Sequence, residues 1–358
     1  MENPSFRLPG LVYLLLYWYR ARFRRDAAME FRRLGQSDLQ FPVVSFGAWA
    51  AGGWMWGGTT DEEVVRAIRA GIDYGITCID TAPVYGMGHS ETIVGKAIEG
   101  RRNEVVIATK CGLRWDLDEG QFYFETQMND GTPCTVYRNL KPRSILYECE
   151  QSLRRLGIDA IDLYQCHWPD VGTPLEATVG ALNELRQQGK IRAFGVSNFS
   201  VDQLAECMEH GPLASDQPKY NPLEREIETD VLPFCIENDI GVLAYSPIAQ
   251  GLMTGKVTMD RVFPEGDQRR NKPWFKPENR RQVLDMLAKL EPIAEDHGAT
   301  LAQVAINWVI SQKGITSALV GARNEKQVAE NARAADLKLA DDEIAAIRHA
   351  VEALTLSA

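Results

Sequence analysis

Two patterns of apolar and polar positions follow one another along the chain. Short runs of β-branched and aliphatic residues predict strands, and the segments between them repeat apolar residues every three to four positions, which predicts amphipathic helices. The predicted strands are Val43–Gly47, Thr77–Asp80, Val105–Lys110, Ile161–His167, Arg192–Asn198, Asp216–Tyr220, Val242–Ser246 and Ala318–Gly321. Regular alternation of strand and helix is typical of βαβ units in a parallel sheet.

Capping motifs mark the starts of several predicted helices. A Thr followed three residues later by Glu or Gln has the spacing of a capping box, in which two otherwise unpaired backbone amides are satisfied. The candidates are Thr60 with Glu63, Thr173 with Glu176, and Thr300 with Gln303. Pro174 is expected at the first helical position, where its missing N–H costs nothing.

The number and order of these elements favour an α/β fold of the (β/α)8 TIM barrel class. A doubly wound sheet is less favoured because no GxGxxG turn follows the first strand. Two connections are long, from Cys111 to about Lys141 after the third strand and from about Ile248 to Pro277 after the seventh. We expect both to lie over the C-terminal face of the barrel, where such folds build their sites, and to cover a substrate or cofactor.

The first 28 residues differ from the rest of the chain. Leu11–Tyr19 is an apolar run followed by an arginine cluster, too short to span a bilayer and without the order of a secretory signal. We therefore predict an N-terminal extension over residues 1–28, disordered or interfacial, with any membrane contact confined to residues 8–25. Met29 is the preferred start of the functional chain, and residues 29–358 are expected to form the barrel.

Composition narrows the class of protein. The chain of 358 residues has 45% hydrophobic positions and a formal net charge of −10, which suits a globular protein and argues against a nucleic-acid binder. Its seven cysteines form no CxxC pair, so neither a disulfide framework nor a zinc site is indicated, and a reducing cytoplasm is expected. The five histidines lack ligand spacing, so no metal site is predicted.

Four polar residues follow or end three consecutive predicted strands. Asp80 and Tyr85 come from the second strand and the turn after it, Lys110 from the third strand, and His167 from the fourth. In a barrel, the carboxyl ends of these strands share one rim, so the four side chains are expected together. A Lys110 ammonium held by Asp80 is expected to lower the pKa of the Tyr85 hydroxyl. Tyr85 would then exchange a proton with a carbonyl oxygen as hydride reaches the carbon, while His167 orients that carbonyl.

With these residues in place, the sequence resembles the aldo-keto reductase superfamily, and most closely its bacterial IolS-like branch. The resemblance covers about Met29 to Leu354. It is carried by the segments IDTAPVYGMGHSE, IATK, IDLYQCHWPD, GKIRAFGVSNFS, AYSPIAQGLMTGK, FPEGDQRRN and VGARNEKQVAENARAAD. It implies that Asp80, Tyr85, Lys110 and His167 are the catalytic tetrad, with Tyr85 as the proton donor.

The resemblance also implies a nicotinamide cofactor bound in extended form, usually NADPH and less often NADH. Ser197, Asn198 and Gln217 match residues that bind the carboxamide, and Tyr245 matches the aromatic residue that stacks on the nicotinamide. The residues that match contacts to the rest of the cofactor are Ser246, Leu252, Gly255, Lys256, Gly321, Ala322, Arg323, Gln327, Glu330 and Asn331. Of these, Arg323 precedes a predicted helix N-terminus and would bind the 2′-phosphate.

The leading interpretation is an NADPH-dependent oxidoreductase that reduces an aldehyde, ketone or sugar-like carbonyl, or oxidises the matching alcohol, as a monomer. Two other classes stay open. One is a nucleotide-binding regulatory subunit resembling potassium-channel β subunits, and the other is a barrel lyase that uses Lys110 as a Schiff base. The third-strand loop is longer than in compact members of the superfamily, so its substrate contacts cannot be transferred. Candidates for an aromatic pocket wall are Trp54, Trp56, Trp115 and Trp168.

Overall fold

The computed structural model describes residues 28–53, 59–263 and 266–355. The strands in these ranges are β1 (Phe31–Arg33), β2 (Gln40–Pro42), β3 (Val44–Gly47), β4 (Cys78–Asp80), β5 (Val106–Cys111), β6 (Leu113–Arg114), β7 (Gln121–Gln127), β8 (Pro133–Arg138), β9 (Ile161–Cys166), β10 (Ile191–Val196), β11 (Leu213–Asp216), β12 (Gly241–Tyr245) and β13 (Ile315–Gly321). The helices are α1 (Asp61–Asp73), α2 (His89–Ile98), α3 (Pro142–Leu156), α4 (Leu175–Gln187), α5 (Val201–His210), α6 (Val231–Glu237), α7 (Pro277–Asp296), α8 (Leu301–Ile310), α9 (Glu325–Arg333) and α10 (Asp341–Glu352).

Eight of the strands close into a parallel barrel, which confirms the predicted (β/α)8 class. Their order around the barrel is β3, β4, β5, β9, β10, β11, β12 and β13, with β13 pairing back to β3. Every pair of neighbours is parallel, so all eight carboxyl ends meet at one rim. The main core lies between the outside of this sheet and the helices, where Ile79, Tyr164 and Trp308 are wholly buried.

A β-hairpin that sequence analysis did not predict closes the amino end of the barrel. Strands β1 and β2 pair antiparallel, and Leu34, Leu39 and Phe41 pack against the inward-facing residues of the barrel strands. Gly35 makes the turn possible, since it has a φ of +49° and a Cβ there would lie 2.5 Å from the Ala214 carbonyl oxygen. We call Leu34, Leu39 and Phe41 the plug. Because the plug fills the amino end, a site for polar residues is left at the carboxyl rim.

The two long connections do lie over the carboxyl rim, and one of them contains unpredicted structure. After β5 the chain forms a three-stranded antiparallel sheet in the order β6, β8, β7. After β12 it runs through short 3₁₀ turns at Ala249–Thr254, Gln268–Asn271 and Pro273–Phe275 before α7. We call the sheet of β6, β7 and β8 the rim sheet, and residues 256–263 and 266–276 the strap.

Local sequence signals were right for some boundaries and wrong for others. Capping boxes form at Thr60 and Thr300 as predicted, and another forms at Ser200 with Gln203, a spacing that the sequence also contains. The one predicted at Thr173 is wrong, because its hydroxyl donates to Asp170 Oδ2 at 2.8 Å. Pro174 then stands just before α4 as its N-cap, and not at the first helical position.

The sixth barrel strand begins and ends earlier in the chain than the sequence predicts. It was predicted as Asp216–Tyr220 but spans Leu213–Asp216. Pro218 has no N–H to donate, so the regular ladder stops before it. The edge continues only as an isolated bridge between Lys219 and Tyr245.

The predicted extension over residues 1–28 lies outside the described residues except for Ala28. Among the residues that the structure describes, no helix is both long enough and apolar enough to cross a membrane.

Candidate active site

The four predicted catalytic residues meet at the carboxyl rim of the barrel. Asp80 is the last residue of β4, Lys110 lies near the end of β5, and His167 directly follows β9. Tyr85 lies in the tight turn after β4, which packs on the turn after β3. Gly86 permits this packing, since a Cβ there would lie 2.2 Å from the Gly52 carbonyl oxygen.

A buried ion pair joins two of these residues. Lys110 is wholly buried, and its Nζ donates to Asp80 Oδ1 at 2.6 Å and to the Thr81 carbonyl oxygen at 2.9 Å. Burial lowers the pKa of Lys110, and the adjacent Asp80 carboxylate opposes that change. A buried lysine is tolerated when a carboxylate pairs with it, so each residue explains the presence of the other.

Two glutamines that share a layer with this pair complete its hydrogen bonding. Gln217 Nε2 donates to Asp80 Oδ2 at 2.9 Å, and Gln165 Nε2 lies 3.3 Å from the same oxygen. The glutamines are joined to each other at 3.1 Å. Sequence reasoning gave Gln217 a role with a cofactor carboxamide and did not single out Gln165, although the segment IDLYQCHWPD contains it. The network holds Asp80 in one orientation.

Tyr85 is enclosed by aromatic rings and faces the buried cation. Its ring stacks on Trp49 with centroids 6.0 Å apart and meets the His167 ring edge-on at 5.7 Å. Lys110 Nζ lies 5.2 Å from the centre of the Tyr85 ring. Trp49 was not among the predicted aromatic residues.

The pKa of Tyr85 does not move in the direction that sequence reasoning predicted. Burial raises the pKa of its hydroxyl well above the usual value, and the Asp80 carboxylate raises it further. The predicted lowering by Lys110 is therefore wrong for this structure, because desolvation of a phenolate outweighs a lysine already neutralised by Asp80. Burial, reinforced by the Lys110 charge, lowers the pKa of His167 well below its usual value. The site thus holds a neutral phenol beside a neutral imidazole.

A second chain of hydrogen bonds follows the rim from β10 to β12. Tyr245 Oη donates to Asn198 Oδ1 at 3.0 Å, and Asn198 Nδ2 donates to Ser197 Oγ at 2.9 Å. Ser197 Oγ in turn donates to the backbone carbonyl oxygen of Gln217 at 2.7 Å. Asn198 and Ser246 have φ values of 63° and 57°, a left-handed conformation uncommon outside glycine. Residues kept in such conformations tend to lie at functional sites, and these two line the cavity described next.

These groups lie in a cavity of about 780 Å³. All but two of the residues predicted to bind a cofactor line it. They are Ser197, Asn198, Gln217, Tyr245, Ser246, Lys256, Gly321, Ala322, Arg323, Gln327, Glu330 and Asn331. The exceptions are Leu252, whose side chain is fully buried in the core, and Gly255, and neither residue lines the cavity. Asp80, Tyr85 and His167 also line the cavity, whereas Lys110 lies behind them.

Basic side chains dominate the charge of this cavity. Asp80 and Glu330 are the acidic residues on its wall, and each faces a lysine, Lys110 at 2.6 Å and Lys256 at 3.6 Å. The basic residues on the wall are Lys219, Lys256, Arg261, Arg269, Lys272 and Arg323. Most of the strap residues among them were not predicted as site residues. The surplus of positive charge suits an anionic ligand.

One part of the cavity wall, which we call the distal end, is built around the start of α9. Asn324 caps this helix by accepting from the Gln327 backbone N–H, and Gln327 Oε1 accepts from the Arg323 backbone N–H at 2.8 Å. Asn331 Nδ2 donates to the Gly321 carbonyl oxygen at 3.2 Å. A helix N-terminus beside an arginine favours a bound phosphate.

The end near Tyr85 has aromatic walls. Trp168, Tyr123 and Phe124 line it, the last two from the rim sheet. Trp115 packs within the same apolar cluster but does not line the cavity. Trp54 and Trp56 lie outside the described residues. Among the described residues, no group of His, Cys, Asp or Glu has an arrangement that could hold a metal ion.

The Schiff-base alternative finds little support in this arrangement. Lys110 Nζ is buried against Asp80 and Thr81, and the side chain does not line the cavity. A lysine held in this way is not accessible to a substrate carbonyl and cannot form a Schiff base with it without leaving Asp80.

Comparison with known proteins agrees with this arrangement. The Aldo/keto reductase family matches residues 43–352. The chain is 40% identical over 327 residues to the NADH-specific methylglyoxal reductase of Escherichia coli (strain K12), covering 90% of this chain and 98% of that protein. The structure of the glycerol dehydrogenase from Gluconobacter oxydans is 42% identical, with a TM-score of 0.81, and covers 90% of this chain and 95% of that one.

A further solved structure resembles the chain less closely. It is the aldo-keto reductase from Klebsiella pneumoniae in complex with NADPH, with 28% identity, a TM-score of 0.68 and coverage of 90% of this chain and 95% of that one. The resemblance to the superfamily is thus confirmed, while the narrower IolS-like branch stays a prediction. The chain belongs to the aldo/keto reductase family and is an oxidoreductase.

Proposed function

We propose that the protein is an NADPH-dependent carbonyl reductase in which Tyr85 donates the proton. The observation that carries the proposal is the buried Lys110–Asp80 pair, which lies next to the Tyr85 and His167 rings at one end of a cavity lined by basic residues. A polar cluster of this kind at the carboxyl rim of a barrel is where such folds place their chemistry.

The protonation states support the reductive direction. Reduction of a carbonyl adds hydride to carbon and a proton to oxygen, and a bound dihydronicotinamide supplies the hydride. The raised pKa of Tyr85 keeps its hydroxyl protonated, which is the form that a proton donor needs. It also makes the phenol a weaker acid, so donation depends on a group that stabilises the phenolate. The lowered pKa of His167 keeps its ring neutral, so one ring N–H holds the substrate oxygen without competing for the proton. As the Tyr85 phenolate forms, Lys110 is the nearby cation that stabilises it.

The residues present fit a dinucleotide. Tyr245 and the Asn198–Ser197 chain form a flat, polar surface next to the catalytic end, suited to a ring with a carboxamide. The side-chain nitrogen of Gln217 donates to Asp80, so the side-chain oxygen Oε1 is the atom that would accept a hydrogen bond from the carboxamide. The surplus of lysine and arginine along the cavity suits the phosphates.

The preference for NADPH over NADH rests on the distal end of the cavity. Arg323 lies there beside the N-terminus of α9, and Lys256 forms an ion pair with Glu330 at the same part of the wall. A 2′-phosphate in this position would gain both a guanidinium contact and the helix dipole. Because the relative from Escherichia coli is NADH-specific, a preference for NADH is the alternative that the experiment must exclude.

The decisive experiment is a fluorescence titration with NADPH and NADH, followed by a carbonyl panel that includes methylglyoxal, larger aldehydes and ketones. We expect tighter NADPH binding, turnover with at least one aldehyde, and a loss of about 10²–10⁴-fold in kcat for Tyr85→Phe with cofactor affinity kept. Trp49→Phe is a matched control, because it changes a ring that contacts Tyr85 while leaving the proton donor in place.

Two results would contradict the proposal. Preserved turnover in Tyr85→Phe would remove Tyr85 as the proton donor. Cofactor binding without turnover on any member of the panel would favour the alternative, a nucleotide-binding regulatory subunit resembling potassium-channel β subunits.

The setting of the reaction is part of the same proposal. All seven cysteines are free and buried, which suits a protein kept in a reducing cytoplasm. We propose a monomer acting on a small-molecule carbonyl or alcohol.

A further inference from the structure

Arg138 occupies an unusual position behind the aromatic wall of the cavity. It is the last residue of β8, the middle strand of the rim sheet, and pairs in register with Leu113 of β6 and Gln121 of β7. Its guanidinium carbon lies 4.1 Å from the centre of the Tyr123 ring and 5.4 Å from that of Trp168. One cation therefore contacts an aromatic residue on the rim sheet and another on the barrel.

A hydrogen bond from Nε does not account for this placement. Arg138 Nε is buried and has no hydrogen-bond acceptor among the described residues. A buried N–H of a guanidinium is costly unless something replaces its lost water, and the faces of two aromatic rings do this through their negative quadrupoles. Burial raises the pKa of the Tyr123 hydroxyl, and Arg138 opposes that rise through side-chain hydrogen bonding and through its charge, so Arg138 interacts with the hydroxyl as well as with the ring.

The rim sheet also packs on an apolar cluster. The apolar cluster beneath it is small, with Ala82, Val84, Leu113 and Val136 as its buried members. Tyr123 and Trp168 touch each other with ring centres 5.7 Å apart, and Trp168 directly follows His167 in the chain. Because Arg138 contacts both rings, it helps to determine where Tyr123 and Trp168 lie relative to His167.

The surface that these residues present to the cavity has a definite chemistry. Next to Tyr85 and His167 it consists of Val84, Leu113, Tyr123, Phe124 and Trp168, none of which is charged. The basic residues of the cavity come from elsewhere, mainly from the strap and the start of α9. A carbonyl compound with a flat apolar group would bury that group against this wall.

We propose that Arg138 is a positioning residue for specificity: by binding Tyr123 and Trp168 together, it fixes the wall that receives a flat apolar group beside the substrate carbonyl. The inference rests on the proposed carbonyl reductase function. It concerns the substrate side alone and assigns Arg138 no contact with substrate, cofactor or the transferred proton.

The test compares two aldehydes of different size in steady-state assays with saturating cofactor. The substrates are 2-naphthaldehyde, which would use the wall, and methylglyoxal, which is too small to cover it. The variants are Arg138→Met, which keeps much of the length and removes the charge, and Arg138→Lys, which keeps the charge. We expect Arg138→Met to raise the KM for 2-naphthaldehyde about tenfold with kcat within twofold, and to leave the KM for methylglyoxal within twofold.

Arg138→Lys should recover most of the KM for 2-naphthaldehyde, because an ammonium also binds aromatic faces. Arg114→Met is the matched control. Arg114 belongs to the same rim sheet and lies 4.8 Å from the Tyr147 ring, but neither residue lines the cavity. Its loss should lower the melting temperature without changing the ratio of the two KM values.

Contrary outcomes are distinct from failure of the proposed function. If wild type turns over neither aldehyde, the reductase proposal is decided by the wider carbonyl panel. Near-ultraviolet circular dichroism then decides on Arg138 by whether Arg138→Met, and not Arg114→Met, alters the aromatic signal. If wild type is active and Arg138→Met raises both KM values equally, or neither, Arg138 only supports the fold and the specificity role is overturned.

Discussion

The two ends of the barrel are built from the same eight strands and differ in almost every other respect. At the amino end, Leu34, Leu39 and Phe41 close the barrel with side chains that are buried and apolar. At the carboxyl end, Asp80, Lys110 and their partners are also buried, but they are charged or polar, and Asp80 and Gln217 line a cavity.

The difference separates two ways of using burial. At the amino end, burial removes apolar surface from water and stabilises the fold directly. At the carboxyl end, burial of charge costs free energy unless each charge is paired, and the pairing fixes protonation states that a water-exposed group would not keep. The left-handed residues Asn198 and Ser246 also belong to this end. We therefore expect substitutions at the amino end to change stability alone.

The largest effect is expected where the two roles coincide, at Lys110. Lys110→Met leaves the Asp80 carboxylate buried without its cation, so the free energy of unfolding should fall by about 3–5 kcal/mol. Removal of the cation beside Tyr85 should also lower kcat by about a hundredfold or more. Chemical denaturation and steady-state kinetics measure the two losses.

The double variant Lys110→Met with Asp80→Asn separates these losses. It removes the uncompensated charge, so it should recover much of the stability while activity stays low. Recovery of both properties together would mean that Lys110 acts only through the fold.

Phe41 tests the amino end by itself. Its side chain is fully buried in the plug, so Phe41→Ala should lower the free energy of unfolding by about 3–5 kcal/mol, from lost burial and the cavity left behind. At a temperature where the variant is folded, kcat should equal that of wild type. Phe31→Ala, on the exposed face of the same hairpin, is the control and should change stability by about 0.5 kcal/mol or less. A fall in kcat for folded Phe41→Ala would show that the two ends are coupled.

Arg323 tests whether the charge at the distal end of the cavity selects the cofactor. Arg323→Ala should weaken NADPH binding about tenfold or more, the size of one lost charge-assisted hydrogen bond of about 1.5–3 kcal/mol. NADH binding should not change, and fluorescence titration measures both. Lys326→Ala removes a nearby charge that does not line the cavity, and it should leave both affinities unchanged. Equal losses for NADPH and NADH in Arg323→Ala would contradict selection at the 2′-phosphate.

A further test concerns Asp216, a buried carboxyl group at the end of β11. Burial raises its pKa to about 8, and the nearby backbone N–H groups of Gln217 and Phe199 oppose this only in part, since neither carboxyl oxygen has a hydrogen-bond partner of good geometry among the described residues. The folded protein therefore holds this proton up to about pH 8, whereas the unfolded chain releases it near pH 4.

The stability that this proton contributes is full below about pH 4 and is lost as the pH rises toward 8. We expect Asp216→Asn to flatten the pH dependence of the free energy of unfolding between these values, as measured by denaturation at several pH values. Asp285→Asn, on the exposed face of α7, should leave the slope as in wild type. An unchanged slope in Asp216→Asn would show that another group carries it.

Much of this protein is determined by the sequence, for physical reasons that act locally. The alternation of strand and helix sets the barrel class, because each pattern buries its apolar face in only one way. The polar residues at consecutive strand ends predict the cluster of Asp80, Tyr85, Lys110 and His167, because parallel strands in a closed barrel bring their carboxyl ends to one rim. The capping boxes at Thr60 and Thr300 are equally local and were correctly predicted.

Tertiary structure decided what depends on contacts between distant segments. The direction of the Tyr85 pKa change follows from how deeply the assembled barrel buries the phenol, and no spacing in the sequence states that depth. Gln165 reaches Asp80 across 85 positions of chain, and the plug at Phe41 meets barrel strands far along the sequence. The placement of Arg138 between Tyr123 and Trp168 is of the same kind. Burial and electrostatic environment are properties of the packed molecule, so only the packed molecule could fix them.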